Sequence, residues 1–183
     1  MFGGKQKVPC VIRGIVGRGW GNGPQHTQSL HGFSASVPGV KVVVPANALD
    51  AKGLMTSSML DDEPVIYIDH RSIHNQSCEV PSGMFSLPIG KAHIERAGHD
   101  LTIVAIGPMV NEALKAAGAL AQEGISAEVI NLRTVRPIDF ETIFNSVAKT
   151  RHLLIADSDW PMFTSSSTII SEVCQKGFDL LKK

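Results

Sequence analysis

The chain has 183 residues, 43% of them hydrophobic and 19% charged, enough to bury a core as one large or two small units and too apolar for a disordered segment. Lys plus Arg balance Asp plus Glu at 17 each, so no bulk field recruits nucleic acid or an anionic membrane. No apolar run approaches the roughly 20 residues that span a bilayer, and the start Met1-Phe2-Gly3-Gly4-Lys5 lacks a secretory core; the expectation is a cytoplasmic chain.

Taken in order, Val8 to Gly14 reads as an apolar strand, followed by a turn with Gly17, Gly19, Gly21 and Gly23 and the run Pro24-Gln25-His26-Thr27-Gln28-Ser29. Val40 to Val44 and Pro64 to Ile68 are short β-branched runs of the kind found in strands buried on both faces of a parallel sheet. Between them Ala48 to Leu60 is predicted helical, with Asn47 and Asp50 near its start to satisfy free N–H groups and an apolar face of Ala51, Leu54, Met55 and Met59. Glu63, in an Asp61-Asp62-Glu63-Pro64 turn, reads as a solvated loop residue. A Pro/Gly/Ser-rich stretch, 81–90, separates this unit, 1–80, from a second one, 91–183.

The second unit alternates more plainly. Lys91 to Arg96 suits an edge strand, Leu101 to Ile106 a buried strand, and Met109 to Glu123 a helix entered at Gly107-Pro108 and stopped by Gly124. Ala127 to Leu132 and Arg151 to Ala156 are strands flanking a short helix, Asp139 to Val147, and Thr164 to Lys182 closes the chain as a helix with Lys182 and Lys183 at its negative end. Strand, helix, strand, helix, strand implies an α/β fold with right-handed crossovers and a mainly parallel sheet covered by helices.

His26 is a candidate for chemistry, because an imidazole after a glycine-rich turn can move a proton near neutral pH, although on chemistry alone a solvated or loop-pinning histidine is the commoner reading. Gln25 and Gln28 would hold the loop or fix the imidazole tautomer through amide hydrogen bonds. Asp69-His70-Arg71-Ser72-Ile73-His74 follows a predicted strand and could be considered for a metal, but it lacks a convincing third ligand and reads better as a loop or subunit contact. Arg133 and Arg136, with Asp139, suit pairing to carboxylates and carbonyls at the domain junction; an anion-binding role for Arg133 is the lesser reading. His31, His93, His99 and His152 default to structural roles, and Cys10, Cys78 and Cys174, widely spaced, to reduced thiols without a disulfide framework or zinc site.

Arg13-Gly14, Gly21 to Leu30, Pro38 to Pro45, Asp50 to Leu54, Gly98 to Val104 and Leu132 to Asp139 resemble, in order, the β subunit of thiamine-diphosphate-dependent 2-oxo acid dehydrogenases, of pyruvate, branched-chain or acetoin type, within the transketolase superfamily. The resemblance implies that 1–80 is the latter half of a pyrimidine-binding domain, 81–90 a linker and 91–183 a transketolase C-terminal domain. It implies an E1 component that decarboxylates a 2-oxo acid and passes the acyl group to lipoamide, with thiamine diphosphate and Mg held by the preceding half and by an E1 α subunit, and none held by this chain alone. A second β subunit and the lipoyl acyltransferase E2 are the further partners implied, with no nucleic acid and no membrane. Within that frame His26 is the catalytic residue, Gln25 and Gln28 its support, and no residue here is a cofactor or metal ligand. Asp69, Asn131, Asp159, Thr164 and Thr168 mark departures from the family pattern. A non-catalytic assembly or dimerisation module is the competing reading, and another superfamily enzyme such as transketolase or deoxyxylulose-phosphate synthase a third.

Overall fold

Valine and isoleucine runs form two four-stranded sheets, as seen in a computed structural model that describes residues 5–182. The first sheet has the order β1 (Val11–Val16), β3 (Val65–His70), β2 (Lys41–Val43), β7 (Thr134–Arg136). The second has the order β4 (His93–Arg96), β6 (Ala127–Asn131), β5 (Leu101–Ala105), β8 (Leu153–Ala156). β1, β3 and β2 run parallel, as do β6, β5 and β8, while β7 and β4 join their sheets antiparallel. This is the expected α/β architecture, with the edge strand where it was expected. The expectations for Met1–Gly4 and for Lys183 lie outside the described residues.

Short helices α1 (Pro24–Thr27) and α2 (His31–Ala35) follow β1, α3 (Ala48–Met59) links β2 to β3, and α4 (Met109–Gln122), α5 (Phe140–Thr150) and α6 (Ser165–Lys176) cover the second sheet's connections. Sequence reasoning missed α1, α2 and β7, since elements of three to five residues carry no periodicity of their own. β7 matters most. It leaves β6 through Arg133, at φ +59°, and pairs with β2, so the C-terminal unit completes the first sheet.

Four boundaries differ for identifiable reasons. β1 starts at Val11, because Pro9 has no N–H for the ladder, and reaches Val16. α5 runs on to Thr150, where Arg151 at φ +61° ends it. α6 stops at Lys176, well short of Lys182, because Gly177 passes so close to Phe144 that a Cβ there would lie 2.8 Å from the ring; Lys176 therefore occupies the negative end of the helix. On α3 the buried stripe is Asp50, Gly53, Leu54 and Ser58, so Met59 turns outward at 70% exposure.

One apolar cluster spans both sheets, joining Val42, Val44 and Ile68 to Val104, Ile130 and Leu132. Smaller clusters lie under α4 and under α3, where Leu54 is fully buried and contributes about 1.5–3 kcal/mol of transfer free energy. The stretch 81–90 is no free tether. Leu87 and Ile89 pack under α3, the Leu87 N–H donates to the Gly53 carbonyl, and Ser57 Oγ donates to the Leu87 carbonyl.

Candidate functional site

β1 and β3 end side by side, Val16 opposite His70, at the edge where open parallel sheets present ligand residues. The loop leaving β1 turns through Gly19, Gly21 and Gly23 at φ +76°, +83° and +70°, a conformation that side chains rarely adopt. Pro24 then starts α1, whose single turn is closed by the His26 N–H and the Thr27 hydroxyl, both donating to the Gly23 carbonyl. His26 stands exposed on this turn. Among the described residues neither Gln25 nor Gln28 hydrogen-bonds its imidazole; the Gln25 side chain folds back on Gly23, and Gln28 lines a neighbouring groove.

That groove, about 1110 Å³, lies between α2 and the loop 158–163, walled by Leu30, Phe33, Trp160 and Met162 with Arg18 and Gln28 at its polar end. Beneath it the first half of the chain is tied to the second. His31, 2% exposed, sets Nε2 2.8 Å from Asp157 and 3.4 Å from Asp159, the Gly32 N–H donates to Asp159 at 2.5 Å, and the Ser29 and Ser158 hydroxyls meet at 3.3 Å. Burial alone would push the Asp157 carboxyl up, but the His31 hydrogen bond and charge, with the Ser166 hydroxyl and Asp159 N–H, outweigh it and hold the group below its ordinary 3.8. The composition offered a signal for this pair that was not used. Two aspartates directly after a strand, once their carboxylates are buried, need a cationic or donor-rich partner, and His31 is that partner.

The Asp69 to His74 cluster is a closed set of hydrogen bonds. Asp69 accepts from Arg13 Nε and Nη2, at 2.8 and 2.6 Å, and from His74 Nε2 at 2.8 Å. Arg71 can only donate, so its 3.1 Å contact makes His74 Nδ1 an acceptor and puts the proton on Nε2. Both nitrogens are thereby occupied. Among the described residues no group of three or more His, Cys, Asp or Glu side chains is placed to hold a metal.

At the junction of the sheets, Asp50 points inward, and helix capping falls to Asn47, which accepts from the Asp50 N–H. The Asp50 carboxylate, wholly buried, accepts from Arg133 Nε at 2.7 Å and from Asn131 Nδ2 at 2.6 Å, and the same amide reaches Glu95 at 2.9 Å. Asn131 suits the place chemically: its two N–H groups serve two carboxylates while its oxygen accepts from the Arg133 N–H. Arg136 donates to the Ala35 carbonyl at 2.7 Å, tying β7 to α2. The arginines thus meet a carboxylate and a carbonyl as expected, whereas Asp139 faces neither; it caps α5 and accepts from the Ala92 N–H. Glu63, His93, His99, Cys10, Cys78 and Cys174 are exposed, and His152 contacts the Asp100 carbonyl at 2.9 Å.

Two mixed, mainly parallel sheets thus share one apolar core, with a glycine-rich turn at the strand ends. The chain belongs to the transketolase family: residues 90–183 match the family described as "Transketolase, C-terminal domain". It is 44% identical over 181 residues to the acetoin:2,6-dichlorophenolindophenol oxidoreductase subunit beta of Bacillus subtilis, covering 99% of this chain and 53% of that protein. It is also 44% identical over 185 residues to the mitochondrial pyruvate dehydrogenase E1 component subunit beta-1 of Arabidopsis thaliana, covering 99% of this chain and 51% of that one. A solved "Split gene transketolase, inactive beta4 tetramer" superposes with a TM-score of 0.80 at 25% identity over 93% of this chain and 55% of its own. The chain therefore spans about half the length of the curated relatives it matches, and corresponds to the C-terminal portion of such β subunits.

Proposed function

We propose that this chain is the histidine-bearing wall of a composite active site in the E1 β subunit of a thiamine-diphosphate-dependent 2-oxo acid dehydrogenase, working in the cytoplasm with an E1 α subunit, a second β subunit and the lipoyl acyltransferase E2. In this reading 1–80 is the latter part of a pyrimidine-binding domain and 91–183 the C-terminal domain, with β7 the strand that fastens one to the other. The observation that carries it is the placing of His26: exposed at the C-terminal edge of the parallel sheet, on a turn fixed by three positive-φ glycines, rather than enclosed in a cavity of its own.

The residues present do not by themselves fit the cofactor. Thiamine diphosphate asks for a carboxylate against its aminopyrimidine ring and a divalent ion on its diphosphate. Here Glu63 is exposed and paired with Lys41 at 3.0 Å, and the described residues hold no cluster of metal-ligating side chains. In this reading thiamine diphosphate with Mg is held by the remainder of the subunit and by α. What this chain contributes is a titratable imidazole able to orient a substrate carboxylate or to give a proton to a sulfur leaving group during acyl transfer. Gln25 and Gln28 support the turn that carries it.

Calorimetry on the isolated chain should show no thiamine diphosphate binding; micromolar affinity would contradict the composite site. In a complete α/β complex, His26→Ala should lower acyl transfer to lipoamide by about 10²-fold or more, the scale of a general acid, with the fold unchanged. Undiminished turnover would favour the assembly-module reading instead.

A further inference from the structure

The loop that presents His26 is gripped at its start by the turn at the end of β3. The Arg18 N–H lies 3.0 Å from His70 Nε2, and the Arg71 guanidinium sits 5.3 Å from the Trp20 ring centroid. Gly17 lets these approach, since a Cβ there would lie 3.0 Å from both Arg71 Cβ and Trp20 Cβ. Two backbone N–H groups face the ring, that of Arg18 at 3.0 Å from Nε2 and that of Ser72 at 3.2 Å from Nδ1, and a neutral imidazole can accept from only one of them. The shorter contact gives the acceptor role to Nε2 and the proton to Nδ1, where the Ser72 hydroxyl at 2.8 Å can take it. His70 itself is 5% exposed.

We propose that His70 is a positioning residue for His26: its neutral imidazole, by accepting the Arg18 N–H, holds the loop from Gly17 to Gly23 in the register that presents α1, and protonation of His70 releases that hold. A charged imidazole carries N–H groups on both nitrogens, so Nε2–H would point at Arg18 N–H, two donors face to face. Every neighbouring charge enters this balance. Burial is the main cause that holds His70 below its ordinary 6.5; Asp69 opposes it from β3, while His74 from the following turn and His31 from α2 reinforce it. Arg18 and Arg71 are the guanidinium-bearing residues beside it in the loop and the turn. Asp69, whose oxygens also accept from Arg13 and His74, is the strongest charge opposing that burial. The loop is thus held while His70 is neutral and loosened once it takes a proton, below its ordinary 6.5.

The proposal rests on the reading of His26 as the site histidine, and the test separates the two. In the 183-residue chain, NMR should find the neutral Nδ1–H tautomer at His70 and a protected Arg18 amide at pH 7.5. That protection, corrected for intrinsic exchange, should fall by up to roughly tenfold per pH unit below the folded pKa. His70→Gln keeps an ε acceptor that cannot take a proton, so its Arg18 protection should stay level across the same range, while His70→Ala should lose it at both ends. An Nε2–H tautomer, equal protection in wild type and His70→Ala, or a His70→Gln protein that follows the wild-type pH curve overturns the proposal. Turnover of the complete α/β complex then distinguishes the claims. If His26→Ala and His70→Ala both leave it untouched although Arg18 protection is lost, the site reading fails and the loop hold stands. If His26→Ala abolishes it and His70→Ala changes nothing, positioning by His70 is overturned. Removal of the acid limb by His70→Gln, with kcat rather than KM restored, supports both.

Discussion

At the junction of the sheets a wholly buried Asp50 is enclosed by Arg133, Asn131 and the Ala46 N–H; at the mouth of the β1 loop an exposed His26 stands on a turn closed only by the Gly23 carbonyl. Both places are polar, the first where the two sheets meet and the second in the loop leaving β1. The junction encloses its buried carboxylate with donors of this chain, which makes loss of any partner costly. The loop leaves its titratable group free and takes its shape from glycine backbone angles and from His70 and Arg71 behind it. Order at the first place is what allows a lightly held turn at the second, because β7 and the His31 clamp fix the frame from which the loop projects.

The comparison breaks most severely at Arg133. Arg133→Met leaves the Asp50 carboxylate buried without its charge partner and should cost about 3–5 kcal/mol, enough to prevent folding, read as a collapsed midpoint in urea. A smaller loss, below about 1 kcal/mol, would show that the junction is not sealed as described. Next comes Gly32→Ala: the new Cβ would meet Asp159 Oδ2 at 2.6 Å and Thr164 Cα at 3.1 Å, so the clamp should open at a cost of about 1–3 kcal/mol in thermal or urea unfolding.

Asp157→Asn sharpens the same contact through pH. Because the folded carboxyl is held below 3.8, its contribution is fully present above that value and is lost as pH falls through the folded pKa. Acid titration of stability should therefore show a steeper decline below pH 3.8 in wild type than in Asp157→Asn, and parallel curves would remove His31 and Asp157 from the frame. The smallest effect is expected in the groove: Trp160, 72% exposed, should be replaceable by Ser within about 0.5 kcal/mol, since truncation there uncovers little.

Long elements were legible in advance. α3, α4, β5 and β6 announce themselves through β-branched runs, glycine stops and helix-length spacing, and they lie where the sequence places them. The turn that carries His26 was legible through its glycines. His31 and His70 were not, because each gains its meaning from a residue far along the chain or across a strand pair: His31 from Asp157, His70 from the Arg18 amide. Asp50 was assigned to a helix start on local grounds and is claimed instead by Arg133 and Asn131.

Composition, periodicity and turn residues by themselves determined the α/β class, the order of the long strands and helices and the turn that carries His26, since these follow from backbone sterics and from which segments must leave water. Tertiary structure alone decided that β7 crosses to the first sheet, that 81–90 is strapped to α3, and which histidines are clamped. Those outcomes turn on pairing between residues far apart in the chain, where a buried donor or charge takes whichever partner the fold brings within reach, and no local pattern encodes that distance.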